Sequence, residues 1–163
     1  MHIYLKKKVL YFRDYKIKCS IGKRGLTSRK SEGDLKTPKG NFNFTLLLYR
    51  ADRIKNIRTR IKKRKIKKNF GWCDDPSSPY YNKLIYFPFK KSAEKLYLKK
   101  NIYDLILVLN FNTRPIIKNK GSAIFLHIAT KKFSPTKGCV AIQKKDLTKI
   151  LPLITKKTKF FIS

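Results

Sequence analysis

Between positions 15 and 21 apolar and polar residues alternate: Tyr15, Ile17, Cys19 and Ile21 against Lys16, Lys18 and Ser20, with Gly22 ending the run. A period of two predicts a half-buried strand, and it puts Cys19 on the apolar face as a packed thiol. Phe42, Phe44, Leu46 and Leu48 repeat the pattern against Asn43 and Thr45 and predict a second strand. The apolar run IYDLILVL at 102–109 reads as a central strand buried on both faces, and 123–129 as another. Leu84 to Phe89 predicts a short strand broken by Pro88, and 159–162 a final one. Helical spacing occurs once, at Leu147, Ile150, Leu151 and Ile154, with Pro152 expected to truncate or kink the helix. Ser92 before Ala93 and Glu94 has the look of an N-cap opening a short helix.

The remaining stretches punctuate these elements. GKRGLTSRKSEGDLKTPKGNF, from 22 to 42, holds four of the seven glycines and reads as loop, as does 110–121. The segment 51–70 fits a helical and an extended face equally and is expected to be mostly exposed, while residues 3–12 mix apolar and basic side chains without a clear period. GWCDDP at 71–76, with Tyr80, Tyr81 and Asn82 behind it, predicts a polar, aromatic loop around the only tryptophan, Trp72. No repeat or low-complexity linker divides the chain. The simplest expectation is a single β-rich domain over 1–163 with one or two short helices.

A hydrophobic content of 42% with 13% aromatics supplies a core for 163 residues. The charge, with 41 Lys and Arg against 9 Asp and Glu, raises nucleic acid or another anionic polymer as a partner. The lysines, however, run along the whole chain alongside abundant Ile and Asn, a pattern of compositional drift, so a nucleic-acid role is not favoured. Only RTRIKKRKIKK at 58–68 forms a distinct basic cluster, and a non-catalytic basic module working through it is the alternative reading. No apolar run is long enough to span a membrane, and the N-terminus lacks a signal-peptide core, so the chain reads as unexported. Three cysteines without CxxC spacing indicate neither a disulfide framework nor a zinc knuckle. Neither a metal nor a cofactor is expected, since His2 is a poor third ligand beside His127 and Cys139.

The chemistry concentrates at 123–141, AIFLHIATKKFSPTKGCVA. An apolar strand delivers His127, and a short loop returns to Cys139, so an imidazole lies within reach of a thiol that it can deprotonate. Gly138 removes a side chain where a substrate carbonyl must approach, and the N–H groups around Cys139 are candidates for an oxyanion hole. Cys73 has no general base among its neighbours. Read from the residues alone, a histidine placed like His127 is more often a hydrogen-bonded core residue than a catalyst.

The His…Thr-x-Gly-Cys arrangement resembles the catalytic signature of the L,D-transpeptidases, the YkuD-like family. EGDLKTPKGNF at 32–42, GWCDDP with YYN, YDLILVLNFN at 103–112, and GSAIFLH leading to GCVAI resemble a subgroup of small, stand-alone catalytic domains. The resemblance implies a mainly β, β-sandwich-like catalytic domain with mixed sheets, and a cysteine acyltransferase on peptidoglycan stem peptides, with Cys139 as nucleophile, His127 as base, and Gly138 with the Cys139 N–H holding the oxyanion. It also implies a periplasmic or cell-envelope setting, against the unexported look of the N-terminus. Candidate substrate contacts are Lys137, Lys131, Thr136 and Trp72. Many members carry Ser-His-Gly-Cys and a basic or amide residue shortly after the cysteine. Here Thr136-Lys137-Gly138-Cys139 and Ala141 stand instead, and Lys137 is expected to favour the thiolate as a cation beside the sulfur.

Overall fold

The computed structural model describes residues 1–163. Fourteen strands and one α-helix follow in chain order: β1 Ile3–Lys6, β2 Val9–Phe12, β3 Tyr15–Ser20, β4 Leu26–Thr27, β5 Thr37–Pro38, β6 Gly40–Tyr49, β7 Lys63–Lys65, β8 Phe70–Cys73, β9 Leu84–Tyr86, β10 Ala93–Lys95, β11 Leu105–Leu109, β12 Phe125–Ile128, β13 Val140–Ile142, α1 Lys144–Ile150 and β14 Lys159–Ile162. The mainly β expectation holds, and the sheets are mixed. β1 runs parallel to β14, β12 to β13 and β6 to β7, while the other pairs of the large sheet are antiparallel.

Two strands serve both layers of the sandwich. Gly40 to Asn43 of β6 pair with β14, and Phe44 to Tyr49 pair with β11. β3 likewise pairs with β2 through Tyr15 to Lys18 and with β13 through Cys19 and Ser20. The inner faces enclose the main core, which includes Ile17, Cys19, Phe44, Leu107, Leu126, Val140 and Phe160. The apolar run of β11 is fully buried because its alternate residues face different cores. Leu105, Leu107 and Leu109 point into the main core, and Ile106 and Val108 into a second one with Phe125 and Cys139. That second core is capped by a small sheet in the order β10-β8-β9.

Two expectations fail at this cap. The predicted loop at 71–76 begins as β8, all four of whose residues are buried, and Trp72 packs edge-to-face on Phe125 with ring centroids 5.2 Å apart. The predicted helix at 92–94 is β10, whose Ala93, Glu94 and Lys95 pair with Cys73, Trp72 and Gly71. Both strands owe their form to tertiary pairing, which overrides a weak capping signal. Residues 3–12, unassigned from the pattern, form a hairpin whose two turn residues, Lys7 and Lys8, have φ of +46° and +62°. The strand expected at 102–109 starts at Leu105, after a 3₁₀ turn at Asn101–Tyr103. As expected, α1 buries Leu147 and Ile150 and gives way to a 3₁₀ turn, Leu151–Leu153, at Pro152.

Candidate active site

Parallel pairing of β12 with β13 sets His127 opposite Ala141 and Leu126 opposite Val140. Carrying that register back two residues brings Cys139 beside Phe125. His127 and Cys139 therefore share one face of the sheet, turned away from the main core. Both line a cleft of about 810 Å³, walled also by Lys30, Glu32, Asp74, Glu94, Tyr103 and Ser122. They are 6% and 7% exposed.

The thiol is held by backbone. Cys139 Sγ donates to the Ala123 carbonyl at 3.0 Å and accepts from the Phe125 N–H at 3.4 Å. It makes no hydrogen bond to His127. His127 Nδ1 lies 2.9 Å from the carbonyl oxygen of Ile128, a contact that needs the proton on Nδ1 and leaves Nε2 as the basic nitrogen. The Tyr103 ring stands perpendicular to the imidazole, with centroids 5.1 Å apart, and its hydroxyl donates to Glu94 Oε1 at 2.6 Å.

Burial dominates the titration of the site. It lowers His127 to about 4, and the carbonyls of Ile128 and Ile102, which favour the protonated ring, offset this only in part. Burial pushes the Cys139 thiol well above its ordinary range, the Glu94 charge adds to that, and the Phe125 N–H and the Lys30 charge oppose it. Glu94 is itself raised, first by burial, against the stabilising hydrogen bond from Tyr103. At neutral pH the resting pair is a neutral thiol and a neutral imidazole.

The loop before the nucleophile is fastened by two threonines. Thr136 Oγ1 donates to the Cys139 carbonyl at 2.6 Å and accepts the Gly138 N–H at 3.1 Å. Thr37 Oγ1, from the Thr-Pro-Lys-Gly turn, donates to the same carbonyl at 3.3 Å and accepts the Gly22 N–H at 2.8 Å. The Gly138 N–H is thus engaged, while that of Cys139 donates to no other group. Gly138 has φ +148°, and a Cβ there would lie 3.0 Å from the Lys36 carbonyl oxygen. Only glycine fits this approach.

The candidate contacts separate. Lys137 lines the cleft, but the cation whose charge acts on the sulfur is Lys30, with side-chain exposure 7%, paired to Asp34 at 2.6 Å. The charge of Lys137 acts on Glu94. Thr136 spends its hydroxyl on the loop. Trp72 does not line the cleft; its Nε1 donates to Asn82 Oδ1 at 3.0 Å. Lys131 lines an adjoining pocket of about 620 Å³ with Lys100, Lys144 and Lys145. The basic cluster of residues 58–68 lies outside the cleft and contains the edge strand β7, Lys63–Lys65.

Sequence reading missed Lys30, Thr37, Glu94 and Tyr103 as parts of the site. Asn82 was also missed: its Oδ1 accepts both Trp72 Nε1 and the Ala123 N–H, and its amide donates to the carbonyls of Phe111 and Asn112. The tryptophan and tyrosine-asparagine blocks therefore fix the residue that holds the thiol. Their grouping with the histidine-cysteine stretch in the family resemblance was the available signal.

A family model described as the YkuD L,D-transpeptidase catalytic domain matches residues 1–162. The chain belongs to the YkuD family. At family level this makes it L,D-transpeptidase-like, in a family whose chemistry concerns peptidoglycan peptides. No curated protein and no solved structure matches the chain significantly. No helix is long and apolar enough to cross a membrane.

Proposed function

We propose that this YkuD chain is a cysteine acyltransferase acting on peptidoglycan stem peptides at the bond between an L- and a D-configured residue. The observation that carries the reading is the placing of Cys139 and His127 on one face of a parallel strand pair, in one cleft. On substrate binding Sγ leaves the Ala123 carbonyl and attacks the scissile carbonyl carbon while His127 Nε2 takes the thiol proton. Because both groups rest neutral, proton transfer accompanies attack, as in general-base catalysis, in place of a standing thiolate-imidazolium pair. The Cys139 N–H donates to the developing oxyanion.

Collapse of the tetrahedral adduct breaks the C–N bond, and His127 returns its proton to the departing amine, leaving a thioester. An acceptor amine then attacks this carbonyl and gives its proton to His127. The C–S bond breaks, a new amide forms, and the proton returns to sulfur. Water in place of the amine gives the carboxypeptidase outcome.

Intact-mass measurement tests the reading. A carbapenem-type β-lactam is expected to add its full mass to the protein at Cys139, and stem tetrapeptides to lose their terminal D-residue. Cys139→Ala removes both. Absence of the adduct together with intact tetrapeptides rejects the proposal.

A further inference from the structure

The cleft is far less basic than the chain: three carboxylates there face three lysines, Lys30, Lys100 and Lys137, against 9 and 41 overall. Of nine acidic residues in all, Glu32, Asp74 and Glu94 line it, and these include both glutamates. Of the other six carboxylates three are matched by cations, Asp34 by Lys30, Asp52 by Arg50 and Asp104 by Arg53, while Asp14, Asp75 and Asp146 have no ion pair. None of the three cleft carboxylates has a cationic nitrogen within 4.0 Å, although 41 lysines and arginines are available. Glu32 accepts from Tyr81 and Glu94 from Tyr103, while Asp74 Oδ1 is buried without a partner. The Ser122 hydroxyl, on a residue only 7% exposed that lines the same cleft, also lacks a partner. No three His, Cys, Asp or Glu side chains gather closely enough to hold a metal ion. Dispersed carboxylates and a spare hydroxyl fit a bulkier organic cation with several N–H donors.

We propose that Glu94 anchors an ammonium group of the substrate attacked by Cys139, with Asp74 and Ser122 completing the contact, so that this cleft selects amine-bearing peptides. The inference rests on the acyl-transfer reading above. Tyr103 occupies Glu94 Oε1 and fixes the carboxylate. Oε2 is left for the ligand. Lys137, whose charge favours the ionised Glu94, makes no ion pair with it and is exposed, so an arriving ammonium displaces no buried bond. The ammonium also counters the Glu94 charge that holds the Cys139 proton on sulfur. Binding of the correct substrate therefore eases loss of that proton.

The test uses Cys139→Ala protein, which cannot form the thioester, and calorimetric titration with two tetrapeptides. One has L-lysine before a C-terminal D-alanine, and the other is its Nε-acetylated counterpart. The free ammonium is expected to bind about tenfold more tightly, the scale of a charge-assisted contact. Adding Glu94→Gln, which keeps an acceptor for Tyr103, is expected to bring the two within about twofold. Equal affinities in protein retaining Glu94, no binding of the lysine peptide, or a preference that persists in folded Glu94→Gln protein each overturns the inference. The first two outcomes need no Glu94 variant. Carbapenem labelling of wild-type Cys139 reads the acyl-transfer proposal separately, so an adduct without ammonium preference defeats only the inference made here.

Discussion

The Cys139 thiol is hydrogen-bonded to the Ala123 carbonyl, 3.0 Å away, and not to His127. Sulfur is thereby stored in its neutral form beside a base that is also neutral. Iodoacetamide is expected to alkylate Cys139 at pH 7 at least about tenfold more slowly than free cysteine, because each unit of raised pKa removes tenfold of thiolate. Labelling should nevertheless be confined to Cys139. Cys139 lines the cleft, whereas Cys19 is packed in the main core and Cys73 is fully enclosed. Peptide mass mapping after timed alkylation checks both statements, and fast labelling would contradict the stored-thiol arrangement.

Folding stability should depend on pH through the same pair. The folded His127 binds its proton at about 4, against an ordinary value near 6.5. Between those values the unfolded chain carries a proton that the folded chain refuses, so stability falls as pH drops through this window, by about 3 kcal/mol in all. The raised Cys139 works in the opposite direction: the unfolded thiol ionises first, and stability falls as pH rises above about 8.5. Urea unfolding across the range should therefore be most resistant between these limits. His127→Gln is expected to flatten the acid limb; an unaltered limb would assign it to other groups.

Asn82 is the keystone of the strap over the thiol. Replacing it with Ala orphans the Ala123 N–H, Trp72 Nε1 and two carbonyls, at an expected cost of about 2–4 kcal/mol. Ala123 sits at φ +52°, a conformation that an alanine keeps only under restraint. Turnover by the folded fraction of Asn82→Ala should therefore fall as well, as its carbonyl leaves the sulfur. Thermal unfolding and kcat on the surviving protein separate the two effects.

Thr37→Val keeps the shape of a buried side chain while removing its hydroxyl. The Gly22 N–H is left unpaired and the Cys139 carbonyl keeps only Thr136, for an expected loss of about 1–3 kcal/mol. Denaturant midpoints measure this, and Thr37→Ser should restore most of it.

Strands built on local alternation, β3 and β6, were legible in the sequence, as were the apolar runs of β11 and β12 and the Pro-terminated helix. A β-rich domain followed from them, and the sandwich-like class from the family resemblance. The β1–β2 hairpin was hidden because Lys7 and Lys8 occupy left-handed turn positions usually given to Asn or Gly. β8 and β10 were hidden because three or four residues carry no period, and their burial depends on a core assembled from β11 and β12. At the cleft the nearness of His127 and Cys139 could be read from one strand and one loop. Glu94, Lys30 and Thr37 come from distant segments, and only the pairing of Glu94 with Trp72, or the hydroxyl of Thr37 on Cys139, reveals what they do.

β7 leaves the large sheet with an open edge, and its consequence is one of association. Lys63, Arg64 and Lys65 are all exposed, and the strand is pinned from within by buried Ile61 and Ile66. A second copy adding strand to strand would bring these triplets to about 4.8 Å, inside the screening distance of about 8 Å at physiological salt. Salt weakens that repulsion only slightly at such range. The edge thus refuses its own kind, and the large sheet does not extend from one copy to the next through β7.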